Sequence, residues 1–229
     1  MNTRALGILT VAVIVTTTIW AAIVIPDAAS AGPVDTLPKA IESLGDLDFL
    51  FYFNYVNAAL ITLLDVAMFA GFYLYCRDHD RFWSTVAVAF VPIYGLGNLM
   101  AYLSQIFVVP RLLDVYQVAD TRQMGETLLG LTLHAWPGSA VGALNALSYA
   151  ILGIPSIILG VMMVRKERTL RFGGLLLAIS GVLSWIAVIG VAVSSPALAA
   201  ATLVSGLIFL VGLIPIGVFF LRQPPREGV

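Results

Sequence analysis

The chain has 229 residues, of which 60% are hydrophobic and only 11% charged, and its mean hydropathy is +0.97. A water-soluble domain carries roughly a quarter of its residues as Asp, Glu, Lys and Arg, so this composition excludes one and makes lipid the solvent for most of the chain. The net charge of −1 excludes the basic footprint of a nucleic-acid binder, and the single cysteine, Cys76, excludes an internal disulfide and a cysteine metal cluster.

A helical crossing of hydrocarbon needs about 20 apolar residues. Six segments qualify: residues 5–25, 49–76, 82–109, 137–164, 172–193 and 197–221. None alternates with period two, which excludes a membrane β-barrel. The expected fold is an all-α integral membrane protein, a bundle of six transmembrane helices forming one polytopic domain over 1–229. The first segment has a rival reading as a signal peptide, because Ala29-Ser30-Ala31 resembles a cleavage site. Its apolar run is longer than the ~7–15 residues of a signal sequence, so retention as a helix is expected.

Orientation follows from the placement of Lys and Arg. With the N-terminus inside, the cytoplasmic side holds Arg4, Arg77, Arg81, Arg165, Lys166, Arg168, Arg171, Arg222 and Arg226, and the outer side only Lys39, Arg111 and Arg122. Most acids then fall outside: Asp27, Asp35, Glu42, Asp46, Asp48, Asp114, Asp120 and Glu126. Both termini are expected in the cytoplasm, and the protein in a bacterial inner membrane.

The loop at 77–81 is a tight charged turn. His79 stands between two acids there; a solvated turn explains the cluster as well as a metal would. The basic run Arg165 to Arg171 suits anionic lipid headgroups, although a positive-inside anchor accounts for it without a ligand. The outer loops, 26–48 and 110–136, are longer. The first contains Pro26, Pro33, Pro38 and a short stretch, Leu37 to Leu44, suited to the interface. In the second, Asp120 and Gln123 have the spacing of a capping box. Met124, Leu128, Leu129, Leu131 and Leu133 then suit a surface helix. His134 and Trp136 follow, and Pro137 is expected at the first position of a helix. Such a loop is expected to lie as a lid over an outward cavity.

Within the spans, polar residues gather. The second segment carries Asn54, Asn57, Thr62 and Asp65; the third carries Tyr94, Asn98, Tyr102 and Gln105 on one helical face. Asn145, Ser148 and Tyr149 follow in the fourth segment, and Ser180 and Ser184 in the fifth. Asn54 and Asp65 are eleven residues apart, close to three turns, and so share a face. Asp65 lies roughly 18 Å from the cytoplasmic end of its helix at 1.5 Å per residue. The polar groups therefore form a column from the bilayer middle outward, with Asp65 at its inner end. Two readings stand side by side. Asn, Tyr and Ser join membrane helices by hydrogen bonds as plain glue. Alternatively, an ionisable residue at this depth marks a binding site for a cation, a proton or an amine.

Gly138, Gly142, Ala146 and Ala150 form a small-residue row suited to close helix packing, inside the bundle or against a homo-oligomer or membrane-protein partner. Pro92, Pro155 and Pro215 are expected to kink their helices. No H-E-x-x-H, P-loop, dinucleotide glycine fingerprint or Ser-His-Asp set occurs, so no catalytic residue, metal site or cofactor is expected.

Three stretches, LITLLDVAMFAGFYLYCRDHDRFWSTVAVAF (Leu60 to Phe90), LLGLTLHAWPG (Leu128 to Gly138) and ILGVMMVRKERTLRFGGLLLAISGVLSW (Ile158 to Trp185), resemble the bacterial membrane family called domain of unknown function 4386. The resemblance implies six helices, an acidic residue in the second (Asp65), a histidine just before the fourth (His134) and a short basic loop after it. It implies no activity. The expected function is a small-molecule or ion binding or transport component, with an outward-facing polar cavity ending at Asp65. A structural or accessory subunit of a membrane complex and an intramembrane enzyme using Asp65 and His134 are the alternatives.

Overall fold

The computed structural model describes residues 2–30, 36–44 and 47–223. Ala31 of the cleavage-like site, Pro33, and the charges of Asp35, Asp46 and Arg226 lie outside them. The helices are α1 (Thr3–Ser30), α2 (Leu37–Ser43), α3 (Phe49–Cys76), α4 (Arg81–Phe107), α5 (Val109–Gln117), α6 (Arg122–Thr132), α7 (Ala140–Lys166), α8 (Arg171–Ala192), α9 (Pro196–Ala199) and α10 (Ala201–Arg222). Six of these, α1, α3, α4, α7, α8 and α10, are long and apolar enough to cross a membrane. No strand occurs among the described residues. A lone segment in hydrocarbon satisfies its backbone N–H and C=O groups only as a helix.

Polar side chains set the starts. Asp48 accepts from Phe51 N at 2.9 Å, Asp80 from Trp83 N at 3.1 Å and Ser139 from Gly142 N at 2.8 Å, opening α3, α4 and α7. Such caps satisfy N–H groups that have no partner within the helix. Ser139 therefore opens α7, and Pro137 lies in the preceding turn rather than at a helix start. The expected capping box is absent too. Thr121 precedes α6 without a side-chain cap, and its hydroxyl donates back to Val115 O at 2.8 Å.

Consecutive long helices pack side by side, and α10 closes against α1, so the six form a ring. Met68, Phe69, Phe72, Leu159, Met163, Leu177, Leu213 and Phe220 fill its interior. The ring is tightened by glycines. A Cβ on Gly160 would stand 2.5 Å from Gly174 O, and one on Gly153 2.6 Å from Gly181 O. Each helix spaces its glycines by seven residues, in opposite order, so the α7 and α8 backbones touch twice along an antiparallel seam. Gly173 and Gly212 make a similar approach between α8 and α10. The expected row behaves differently. Gly138 lies before α7 with φ +80, and Gly142 faces His134 O and Ser139 Oγ of its own loop, both at 2.9 Å from a Cβ. Ala146 is half-buried and Ala150 buried, so only the lower part of the row packs fully.

The long second loop is a folded cap. α4 continues through Val108 into α5, and α6 runs back against α5, while α2 leans on α6. Ile41, Val109, Tyr116, Leu129 and Leu133 make a separate apolar cluster there. Gly125 lets the helices meet, since a Cβ would lie 2.7 Å from Tyr116 Cα. Arg111 and Asp114, expected in a loop, belong to α5.

Candidate functional site

Asp65 sits near the middle of α3 and is 3% exposed. Its Oδ2 accepts from the Tyr94 hydroxyl of α4 at 2.9 Å. Its Oδ1 has no partner among the described residues, and no Lys or Arg occurs within α3, nor on α4 beyond its first residue. Asn98, one turn farther along α4, is fully buried, and neither end of its amide makes a well-formed hydrogen bond. The nearest partner for that amide is the Tyr149 hydroxyl of α7, at the long end of hydrogen-bonding reach. Asn145 Oδ1 is a further acceptor without a partner among the described residues.

From there the chain of polar rings continues outward. Tyr94 and Tyr149 have ring centroids 5.9 Å apart, and the Tyr149 and Tyr102 hydroxyls share a hydrogen bond of 2.8 Å. Tyr102 and Tyr55 then hold the His134 ring, with centroids at 5.8 and 5.9 Å. Gly97 makes this geometry possible, because its missing side chain lets Ser148 of α7 approach α4. Asp65, Tyr94, Asn98, Tyr102, Tyr149 and His134 thus lie along one path from mid-bundle to the cap.

His134 closes that path. Gln105 holds the segment from both sides: its Oε1 accepts from His134 N at 3.1 Å and its Nε2 donates to Thr132 O at 2.9 Å. The ring is half-buried, and burial between apolar and phenolic surfaces pushes its pKa down to about 4, with no neighbouring charge contributing. Beyond it lies a shallow groove of about 190 Å³ lined in part by His134, Trp136, Gly138, Gly142 and Val191.

Around Asp65 the column is closed where an open cavity was expected, while Asn145 and Tyr149 are half-buried. Tyr94 and Asn98 have no accessible surface, so no water-sized space touches them. Aromatic side chains, which fill volume as well as bond, occupy the interior. Other candidates point elsewhere. Asn54 Oδ1 accepts from Trp20 Nε1 at 2.7 Å, and Asn57 Nδ2 donates to Thr16 O at 3.2 Å, so both face α1. The buried face of α3 is wide and shared by α1 and α4, and Asn54 falls on its α1 edge although it stands three turns from Asp65. Ser184 shares a 2.9 Å hydrogen bond with Ser205, which donates to Ser180 O at 2.8 Å, so it joins α8 to α10. Tyr55 is the member that composition and spacing missed. Its signal was the buried 3–4 repeat it shares with Ala58, Ala59, Thr62 and Asp65.

No group of three or more His, Cys, Asp or Glu able to hold a metal occurs among the described residues. Near His79, the Asp80 carboxylate is occupied as the α4 cap, and exposed Asp78 meets Arg77 at 3.8 Å.

Six apolar helices around a buried polar path define a multi-pass membrane protein in contact with the lipid bilayer. A family model described as domain of unknown function (DUF4386) matches residues 5–223, spanning every long helix and the cap, and the chain belongs to that family. No curated protein and no solved structure matches the chain.

Proposed function

We propose that the protein is a small-molecule or ion binding or transport component of the bacterial inner membrane, with both termini cytoplasmic, and that Asp65 receives a proton or small cation arriving along the tyrosine path. One observation carries this reading. Asp65 Oδ1 is buried without a hydrogen bond among the described residues, and the Asn98 amide one turn away has only a long contact with Tyr149. Such a group costs about 1–3 kcal/mol, a cost that helix glue would have no reason to bear. A carboxyl in hydrocarbon with no counter-charge is expected to be functional. The sealed column corresponds to an occluded conformation, so exchange requires the cap to open at His134.

The accessory-subunit reading loses part of its basis because Gly142 faces its own loop. The enzyme reading lacks contact between its two residues, since His134 meets Tyr102 and Tyr55 rather than Asp65.

The test is Asp65→Asn in proteoliposomes. Thermal stability should change little, because the amide keeps the partnership with Tyr94, whereas proton- or cation-coupled flux or ligand-induced stabilisation should vanish. A variant that changes only in stability would assign Asp65 to packing.

A further inference from the structure

A second concave site lies at the opposite end of the bundle from the cap. The α3–α4 turn and the first turn of α4 form one wall, with His79, Asp80 and Trp83, and α7 forms the other, with Ile157, Val161, Met162 and Arg165. The space is about 220 Å³ and open along one side. Enclosed small-molecule sites are usually larger, at roughly 300–1,000 Å³, so this groove covers only part of a ligand.

Its chemistry is graded along the helix axis. Arg165 and His79 stand at the polar end, and the wall from Ile157 to Met162 is hydrocarbon. Eight residues separate Ile157 from Arg165, about 12 Å at 1.5 Å per residue. Trp83 is 51% exposed in the first turn of α4, the level at which an indole marks the membrane interface. A charged head above a 12 Å apolar wall, open to the side, matches an amphiphile lying parallel to the helices.

The sign of the charge follows from what is already engaged. Lys166 donates to Tyr75 O and lies 4.0 Å over the Tyr75 ring, so it faces α3. Asp80 also lines the polar end, but its carboxylate accepts from Trp83 N and its charge is offset by the positive end of the α4 dipole. Arg165 is exposed and pairs with no acid among the described residues, while Arg168 and Arg171 add positive charge to the same loop. We infer that this groove binds an anionic phospholipid, whose phosphate-bearing headgroup meets Arg165 and His79 and whose acyl chain runs along Val161 and Ile157 into the bilayer.

The whole chain, purified in neutral detergent, is mixed with equal amounts of dioleoyl phosphatidylglycerol and dioleoyl phosphatidylcholine, and retained lipid is counted by native mass spectrometry. Phosphatidylglycerol should be retained in preference. Arg165→Gln should reduce that preference about tenfold or more, the worth of one charge-assisted hydrogen bond to a phosphate. Val161→Trp, which fills the apolar wall and leaves every charge in place, should abolish retention. Arg168→Gln, outside the groove, should change it less than twofold. Equal retention of the two lipids overturns the proposal. So does an equal loss in Arg165→Gln and Arg168→Gln, which would mean diffuse attraction. Competition by soluble glycerol phosphate as effective as that of the lipid also overturns it, since the acyl wall would then contribute nothing.

Discussion

The Tyr94 hydroxyl donates the hydrogen bond that Asp65 receives. Tyr94→Phe keeps the ring that packs on Tyr149 and leaves both carboxyl oxygens without a donor. Stranding a buried polar group costs about 1–3 kcal/mol, so this variant should unfold earlier in a thermal scan. Asp65→Asn in the Tyr94→Phe background should recover little, because the amide is then stranded as well. At the other end of the path, His134 makes the cap sensitive to acid. Its folded-state pKa is depressed to about 4 from the ordinary value of 6.5. Between those values the unfolded segment binds the proton that the folded one excludes. Stability is therefore fully present above pH 6.5 and declines as pH falls toward 4. The loss at pH 5 should be on the order of 1 kcal/mol, given a ring that is only half-buried. Hydrogen exchange at residues 132–139, corrected for intrinsic rate, should accelerate at pH 5 in the native chain. In His134→Gln the same segment should show no such acceleration, and an unchanged response there would assign the acid sensitivity to another group.

At the scale of elements, the seam between α7 and α8 depends on bare backbone. Gly160→Leu would drive a side chain into Gly174 O and Ala178, so the helices must separate and forfeit packing on both faces. A loss of more than about 3 kcal/mol is expected, the upper range for overpacked cores. Gly206→Leu on α10 meets nothing within 4 Å of its Cβ and serves as the comparison, with little change in melting temperature expected. These two positions also show what the sequence does and does not reveal. The existence and rough length of each long helix follow from apolar runs, because hydrocarbon leaves the backbone no alternative. Depth counting puts Asp65 near mid-span with both Tyr94 and Ser184 at its level, so it narrows the partner of Asp65 without choosing it. The structure chooses Tyr94. The Gly153–Gly160 seam was overshadowed by the denser Gly138–Ala150 row, whose first residue proves to lie in a turn at φ +80. Spacing reports which residues share a face; it does not report which neighbour that face meets. The same limit sent Asn54 and Asn57 to α1 and Ser184 to α10 instead of to the polar path. Gln105 illustrates a further case, because it sits on the expected stripe but spends its amide on loop backbone that no periodicity could locate.

For the whole molecule, the ring gives the bundle two chemically unlike ends. Arg4, the α3–α4 turn, the α7–α8 turn and Arg222 share one end, whereas Lys39, Arg111 and Arg122 share the end that carries the cap. The lipid groove opens at the basic end and the His134 path at the capped one, so a ligand entering under the cap and a lipid bound at Arg165 would act from opposite leaflets. Positive charge is retained on the cytoplasmic side of a membrane, and the proposed orientation, with the cap outward, rests on that rule. The orientation is testable because the lone thiol, Cys76, is fully buried. A Cys76→Ser background carrying a single cysteine at His79 or at Met124, both exposed positions, separates the two ends. An impermeant maleimide applied to the periplasmic face of spheroplasts should label the cysteine at 124 and spare the one at 79 until the membrane is broken. The reverse pattern would place the cap in the cytoplasm, and the path to Asp65 would then open to the cell interior. Because Gln105 anchors the segment that closes this path, Gln105→Ala should raise labelling of a cysteine placed at Tyr102 in the same background. Labelling at 124, already exposed, should stay the same. A cysteine at 102 that remains protected in the Gln105→Ala chain would mean that the cap stays shut for reasons beyond this latch, the aromatic packing around Tyr55 among them.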